Sequence, residues 1–240
     1  AKSCAYDQWS VGKTVVLQKD LSLEGMLWEP IPSFSGQFKG NGHTISDLTI
    51  TGEYSPAGLF GIVEEKGSIE SLSVRGVVSV SDSADTTTGG VVGINHGTLI
   101  SCQFTGVVTG DSEVGGIVGR NESEGTIDHS TARAIVTGKS STGGIAGYNL
   151  GAITGCTNVG SINTEYQEAS LDTDGFTAKM VDHLNNRMSA ADNDTTNSVT
   201  NVATDTGGIA GRSSGMILTS VNTGTVGYEH IGYNVGGIVG

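Results

Sequence analysis

The feature that most constrains this chain is a five-residue phrase that keeps returning. It reads Gly89-Gly90-Val91-Val92-Gly93, Gly115-Gly116-Ile117-Val118-Gly119, Gly143-Gly144-Ile145-Ala146-Gly147, Gly207-Gly208-Ile209-Ala210-Gly211 and Gly236-Gly237-Ile238-Val239-Gly240, with a shorter form at Gly58-Leu59-Phe60-Gly61. Counted on the last glycine of each copy, the steps are 32, 26, 28, 64 and 29 residues. Self-similarity at such a period marks a repeat architecture, in which each unit buries its apolar face only by stacking on its neighbours. The long step holds one ordinary step plus roughly 36 further residues, which points to an inserted segment.

Between the glycine phrases, apolar residues also return in phase. Ile45, Ile69, Leu99, Ile127, Ile153 and Ile217 align as one row. Three positions on come Leu48, Leu72, Cys102, Ser130, Cys156 and Ser220; five on come Ile50, Val74, Phe104, Ala132, Asn158 and Asn222. Each round holds about three short β-rich segments separated by turns. Parallel stacking at about 4.8 Å per round buries like above like. The pattern predicts a parallel β-helix, right-handed by the usual crossover rule.

Residues 1–41 fall outside this phasing. They concentrate Trp28, Pro30, Ile31, Phe34 and Phe38, and read as a cap closing one end of the core. Coils follow over 42–162, an insertion over 163–200, and further coils over 201–240, all in one domain. In the insertion Phe176, Met180, Leu184 and Met188 recur at every fourth residue, one face of an amphipathic helix. The chain has no signal peptide and stops inside a repeat, so it reads as a piece of a longer protein.

With 12 basic and 25 acidic residues, the formal net charge is −13. Such an acidic surface repels nucleic acid and anionic membrane, and no apolar run nears the roughly 18 to 20 residues that span a bilayer. Three cysteines give no disulfide framework. Cys102 and Cys156 share an inward row two coils apart, about 9.6 Å by strand spacing, too far for a disulfide. Asn95, Asn121 and Asn149 each follow a closing glycine by two positions and predict an asparagine turn ladder with left-handed backbone.

The search for chemistry gives no catalytic, cofactor or metal residues. Gly211-Arg212-Ser213-Ser214-Gly215 spells a nucleophile elbow, but sister coils carry Gly93-Ile94-Asn95-His96-Gly97 in the same slots, so it reads as a repeat corner. The five histidines lack zinc spacing. Asp172-Thr173-Asp174-Gly175 starts like a calcium loop without the later ligands, and reads as a helix cap. Asp128, His129 and Arg133 lie in one coil; if all point outward, they could form a charged cluster acting on a polysaccharide.

At the phased Gly-Gly-Ile-Val-Gly segments the chain resembles the GLUG-motif proteins, whose Gly-Leu-x-Gly is spelled by Gly58-Leu59-Phe60-Gly61. The run from Trp28-Glu29-Pro30-Ile31 to Gly42-His43-Thr44-Ile45 is similar to the segment preceding the first such motif in many bacterial surface proteins. The resemblance implies a secreted or surface-attached bacterial protein, adhesin-like or the non-catalytic region of a multidomain protein. Some immunoglobulin A peptidases carry such motifs beside a zinc peptidase domain, whose motif this chain lacks. The expected ligand is host glycan or protein, or a cell-wall polymer, bound by a monomer. A passive spacer and a polysaccharide-degrading enzyme are the alternatives.

Overall fold

The computed structural model describes residues 9–80, 86–164, 204–227 and 233–240. Every regular element among them is a β-strand, and every strand pairing is parallel. The strands stack into four sheets, A to D, of seven, nine, six and five strands. One coil runs Glu113–Gly115 in sheet D, Val118–Asn121 in C, Thr126–Asp128 in A and Thr131–Thr137 in B. The fold is thus a parallel β-solenoid with four strands per round. The fourth, in sheet D, escapes the sequence pattern because its three residues run straight into the glycine pair.

Stacking in register produces the expected rows with one correction. Ile69, Leu99, Ile127, Ile153 and Ile217 lie above one another in sheet A. The residues that precede Ile69 in this row are Val15 and Phe38, whereas Ile45 pairs with Val74 in sheet B. Two extra residues at Asn41-Gly42 lengthen the A–B corner that follows Phe38. An irregularity between Ile45 and Leu48, with Asp47 at φ 62°, adds one more. Together they shift the first coil out of the phase that the later coils share.

Within the segment 1–41 read as a cap, residues 14–39 supply strands to the same sheets. Thr14–Val16, Leu21–Ser22, Ile31–Phe34 and Gln37–Lys39 join sheets A, B, C and A as the outermost strands or next to them. The end of the core is closed by this first coil and its aromatic rings. Phe34 lies 5.3 Å from Phe60 and 5.9 Å from Trp9, ring centre to ring centre. The predicted helix on Phe176 to Met188 lies outside the described residues.

The unequal repeat steps have a simple structural source. Between register-matched residues the B-to-D link runs Ser79 to Thr87, Thr109 to Glu113, Thr137 to Ser141, Asn163 to Asp205 and Gly227 to Asn234: 8, 4, 4, 42 and 7 positions. The C-to-A link takes 5, 3, 5, 3 and 3 positions in the same coils. Those two links account for all the differences among 32, 26, 28, 64 and 29. From Ile69 onward the A–B corners keep one length, as do the D–C corners from Thr88 onward, whereas the Ala57–Phe60 corner is one position shorter. The insertion therefore leaves from the B–D corner. Asn163, at φ 50°, ties that corner together: its Oδ1 accepts from Gly138 N (2.9 Å) and its Nδ2 donates to Thr206 Oγ1 (3.0 Å), across the insertion.

The glycine phrase is the D–C corner. A side chain on Gly115 would collide with the carbonyl of Val118, and one on Gly116 with the carbonyl of Gly144 and the side chain of Ala132 across the core. Space, not a left-handed φ, demands glycine here, since neither residue has positive φ. The core between sheets C, D and B is that narrow.

Candidate functional site

The conspicuous polar residues of the sequence divide into buried ladders and outward rows. Asn95, Asn121 and Asn149 are buried at the ends of sheet C strands. Asn95 Nδ2 donates to Asn121 Oδ1 (2.8 Å), Asn121 Nδ2 to Asn149 Oδ1 (2.9 Å), and Asn149 Nδ2 to Ser213 Oγ (3.1 Å). The predicted ladder is present, but its backbone is not left-handed: none of the three has positive φ. The amides take part in the sheet and close the C–A corner by bonding Gly97 and Gly125 carbonyls. Ser213, the supposed nucleophile, ends this ladder and donates to Gly215 O (3.3 Å).

One column of left-handed positions lies at the A–B corner instead, Ser71, Ser101, His129, Gly155 and Thr219, at φ 45° to 61°, and a second lies in sheet D at Ser141, Asp205 and Asn234. The residue that follows each points inward. Cys102 N donates to Ser130 Oγ (3.1 Å), Ser130 N to Cys156 Sγ (3.4 Å), and Cys156 N to Ser220 Oγ (3.2 Å). Both cysteines are free and buried. Burial pushes the Cys102 thiol up to about 12 and the Cys156 thiol to about 11, so neither is a nucleophile at neutral pH. Sequence reasoning saw small apolar groups; it missed that sulfur and hydroxyl alternate as acceptors for one corner N–H per coil. Cys4 lies outside the described residues.

The suspected acid/base cluster is only half assembled. Asp128 Oδ1 and His129 Nδ1 are 2.8 Å apart, with His129 68% exposed on the A–B corner. Arg133 lies beyond that corner in sheet B, exposed and in register with Thr105. Among the described residues no ion pair joins it to Asp128. No group of three or more His, Cys, Asp or Glu residues that could hold a metal ion occurs among the described residues.

Two outward features went unread in the sequence. On sheet C, Arg120, Tyr148 and Arg212 stack in register. The Arg120 and Arg212 guanidinium carbons lie 5.2 and 5.5 Å from the Tyr148 ring centre. Arg120 also pairs with Glu113 Oε1 (2.9 Å, a hydrogen bond) and with Glu122 Oε1 (2.8 Å, not aligned as one). Both arginines stack on Tyr148, so its ring offers no free platform for a sugar. The second feature is a groove at the C–A corner near the N-terminal end, lined by Lys13, Ser35, Gln37, Glu64, Lys66 and His96. Glu64 there accepts from Ser33 Oγ (2.7 Å).

Comparison with known proteins fits this geometry. A segment making up 45% of the chain is 35% identical, over 117 residues, to Halomucin of Haloquadratum walsbyi, of which it covers 1%. Another, 41% of the chain, is 29% identical over 137 residues to a Gly-rich membrane protein of Evansella cellulosilytica, covering 16% of it. The chain thus spans a small fraction of these relatives' length. No solved structure matches it. Residues 110–137, one full round through sheets D, C, A and B, match the family described as the GLUG motif, and the chain carries that motif.

Proposed function

We propose that this chain is a non-catalytic β-solenoid module displayed outside the cell, where it binds host glycan or protein, or a cell-wall polymer, as a monomer. The observation that carries the reading is the contrast between inward and outward rows. Inward positions are confined to packing: the sheet A row stays aliphatic from Ile69 to Ile217, and the asparagines of the sheet B and C rows bond to one another. One outward row of sheet C reads Ser33, Ile62, Ile94, Arg120, Tyr148, Arg212. A scaffold whose inside only packs or pairs with itself, while its outside varies freely, is built to present a surface. The relatives' names, Halomucin and a Gly-rich membrane protein, support a place at the cell surface. A glycan and matrix-protein array tests the reading. Specific capture, together with loss of cell attachment on deleting the segment, is the expected result; silence on the array with attachment unchanged counts against it.

The passive spacer is the second reading, favoured by the all-parallel stacking of the strands, which suits a rod. It predicts normal function after every outward polar row is replaced by serine. For the enzyme alternative, the Asp128–His129 pair is the remaining candidate, and incubation with uronic-acid and neutral glycans should yield no new reducing ends or unsaturated products.

A further inference from the structure

Sheet B has an outer face unlike the rest of this acidic chain. Its strands from Ser73–Val80 through Gln103–Thr109 to Thr131–Thr137 contain no Asp or Glu. Across the whole sheet Asp47, at the irregularity in the first long strand, is the single acidic residue among the described residues. Two arginines point outward from this face, Arg75 and Arg133, both exposed and in one register row with Thr105 between them. No carboxylate lies within ion-pair distance of either among the described residues, in contrast to Arg120 with its two glutamates. Asp20 senses Arg75 only as the weakest influence on its carboxyl, which the Thr44 N–H and His43 already hold.

Two rungs separate the arginines, about 9.6 Å at the spacing of parallel strands. That matches the length of an extended disaccharide. Beside the arginine row runs an aliphatic one, Val77, Val107 and Ile135 in register, with Val77 40% and Ile135 39% exposed. On its other side Gln103 and Thr131 add side-chain donors and acceptors. Unpaired guanidinium groups fit carboxylates in a two-pronged hydrogen-bonding geometry, and an aliphatic strip suits the C–H faces of sugar rings.

We propose that the outer face of sheet B binds an acidic polysaccharide carrying one carboxylate per disaccharide. The polymer lies along the solenoid axis, successive carboxylates on Arg75 and Arg133 and the intervening sugar over Val107. This names the ligand class for the module proposed above and rests on that reading.

The test is calorimetric titration of the 240-residue chain with hyaluronan oligosaccharides, polygalacturonate, dextran and matrix protein, at low and high salt. Hyaluronan should bind at low salt and weaken as salt rises. Arg75→Gln and Arg133→Gln should each weaken it about tenfold, and the double variant should abolish measurable binding. Arg212→Gln, on sheet C, should leave it unchanged. Circular dichroism should show the native thermal midpoint in all variants, because neither sheet B arginine touches the core. Unchanged hyaluronan binding by the double variant overturns the proposal, as does equal or tighter binding of polygalacturonate, with its acid on every sugar. Binding of a neutral glycan or matrix protein without the acidic oligomer also overturns it while leaving the surface-module reading intact. Failure of every ligand class overturns both.

Discussion

The two ends of the solenoid fill the same rows with different chemistry. In the sheet C row the N-terminal coils carry Phe34 and Val63, and the later coils carry Asn95, Asn121, Asn149 and Ser213. The sheet B row changes likewise, from Ile45, Val74 and Phe104 through Ala132 to Asn158 and Asn222. At the A–B corner Leu72 gives way to the cysteine and serine ladder. One backbone path is therefore held by aliphatic and aromatic packing at one end and by stacked amides at the other. Both work because each row supplies its own neighbour: an aliphatic side chain meets an aliphatic one, and an amide meets an amide that can accept from it. Where the two chemistries meet, at Val63 beside Asn95, the first amide is satisfied by Asn121 and by Gly97 of its own corner.

The sharpest way to break this comparison is at its apolar side. Phe104 is fully buried, against Gly90 across the core. Phe104→Ala should cost about 3–5 kcal/mol, read as a fall in thermal midpoint, because Gly90 offers no side chain to refill the space. A cost below about 1 kcal/mol would mean that this coil can close as its neighbour does around Ala132. On the polar side, Asn121→Val should cost about 2–4 kcal/mol, since it leaves the Asn95 amide N–H and the Asn149 carbonyl oxygen buried without their partners. Replacing Asn95, Asn121 and Asn149 together should cost less than the sum of the three single changes, a non-additivity measured by double- and triple-variant denaturation.

The corner ladder gives a smaller effect. Cys102→Ser should change stability by less than about 1 kcal/mol, because Ser130 already fills the same role one coil on. In the native protein Cys102 and Cys156 should resist iodoacetamide at pH 8 and react once unfolded, with the sites identified by peptide mass spectrometry. The folded thiol of Cys102 titrates at about 12 against 9.0 ordinarily. Unfolding thus releases a proton between these values. Its contribution to stability is complete below about pH 9 and is lost as pH rises toward 12. Denaturation midpoints across that range would fall less steeply in Cys102→Ser. Smallest of all, Asp128→Asn should shift stability by no more than about 0.5 kcal/mol, the pair with His129 being mostly in water.

How much of this was legible in the sequence depends on the kind of repetition involved. The solenoid, five of the six members of the Ile row and the Asn95–Asn121–Asn149 ladder follow from spacing alone, since stacking turns a sequence period into a column in space. Ile45 was misplaced because the first coil carries three extra residues, and phase carries no information across an unmarked change in length. The A–B corner was invisible because Ser71, Ser101, His129, Gly155 and Thr219 share a backbone conformation and no side-chain chemistry. The outward arginine rows were missed for the opposite reason. Nothing repeats there, and a pair such as Arg75 and Arg133, far apart in sequence, becomes a pair only once the register is known.

Because coil length after Gly61 varies only at the B–D and C–A links, the first long sheet B strand and its corner lying before that point, this architecture can grow in two independent directions. New rungs lengthen the rod; extra residues between Asn163 and Thr206 widen it, while Asn163 clamps the gap shut on the rung below. A foreign peptide spliced there would ride as cargo on an undisturbed frame, and the same tolerance would let such a protein acquire side appendages without renegotiating its interior.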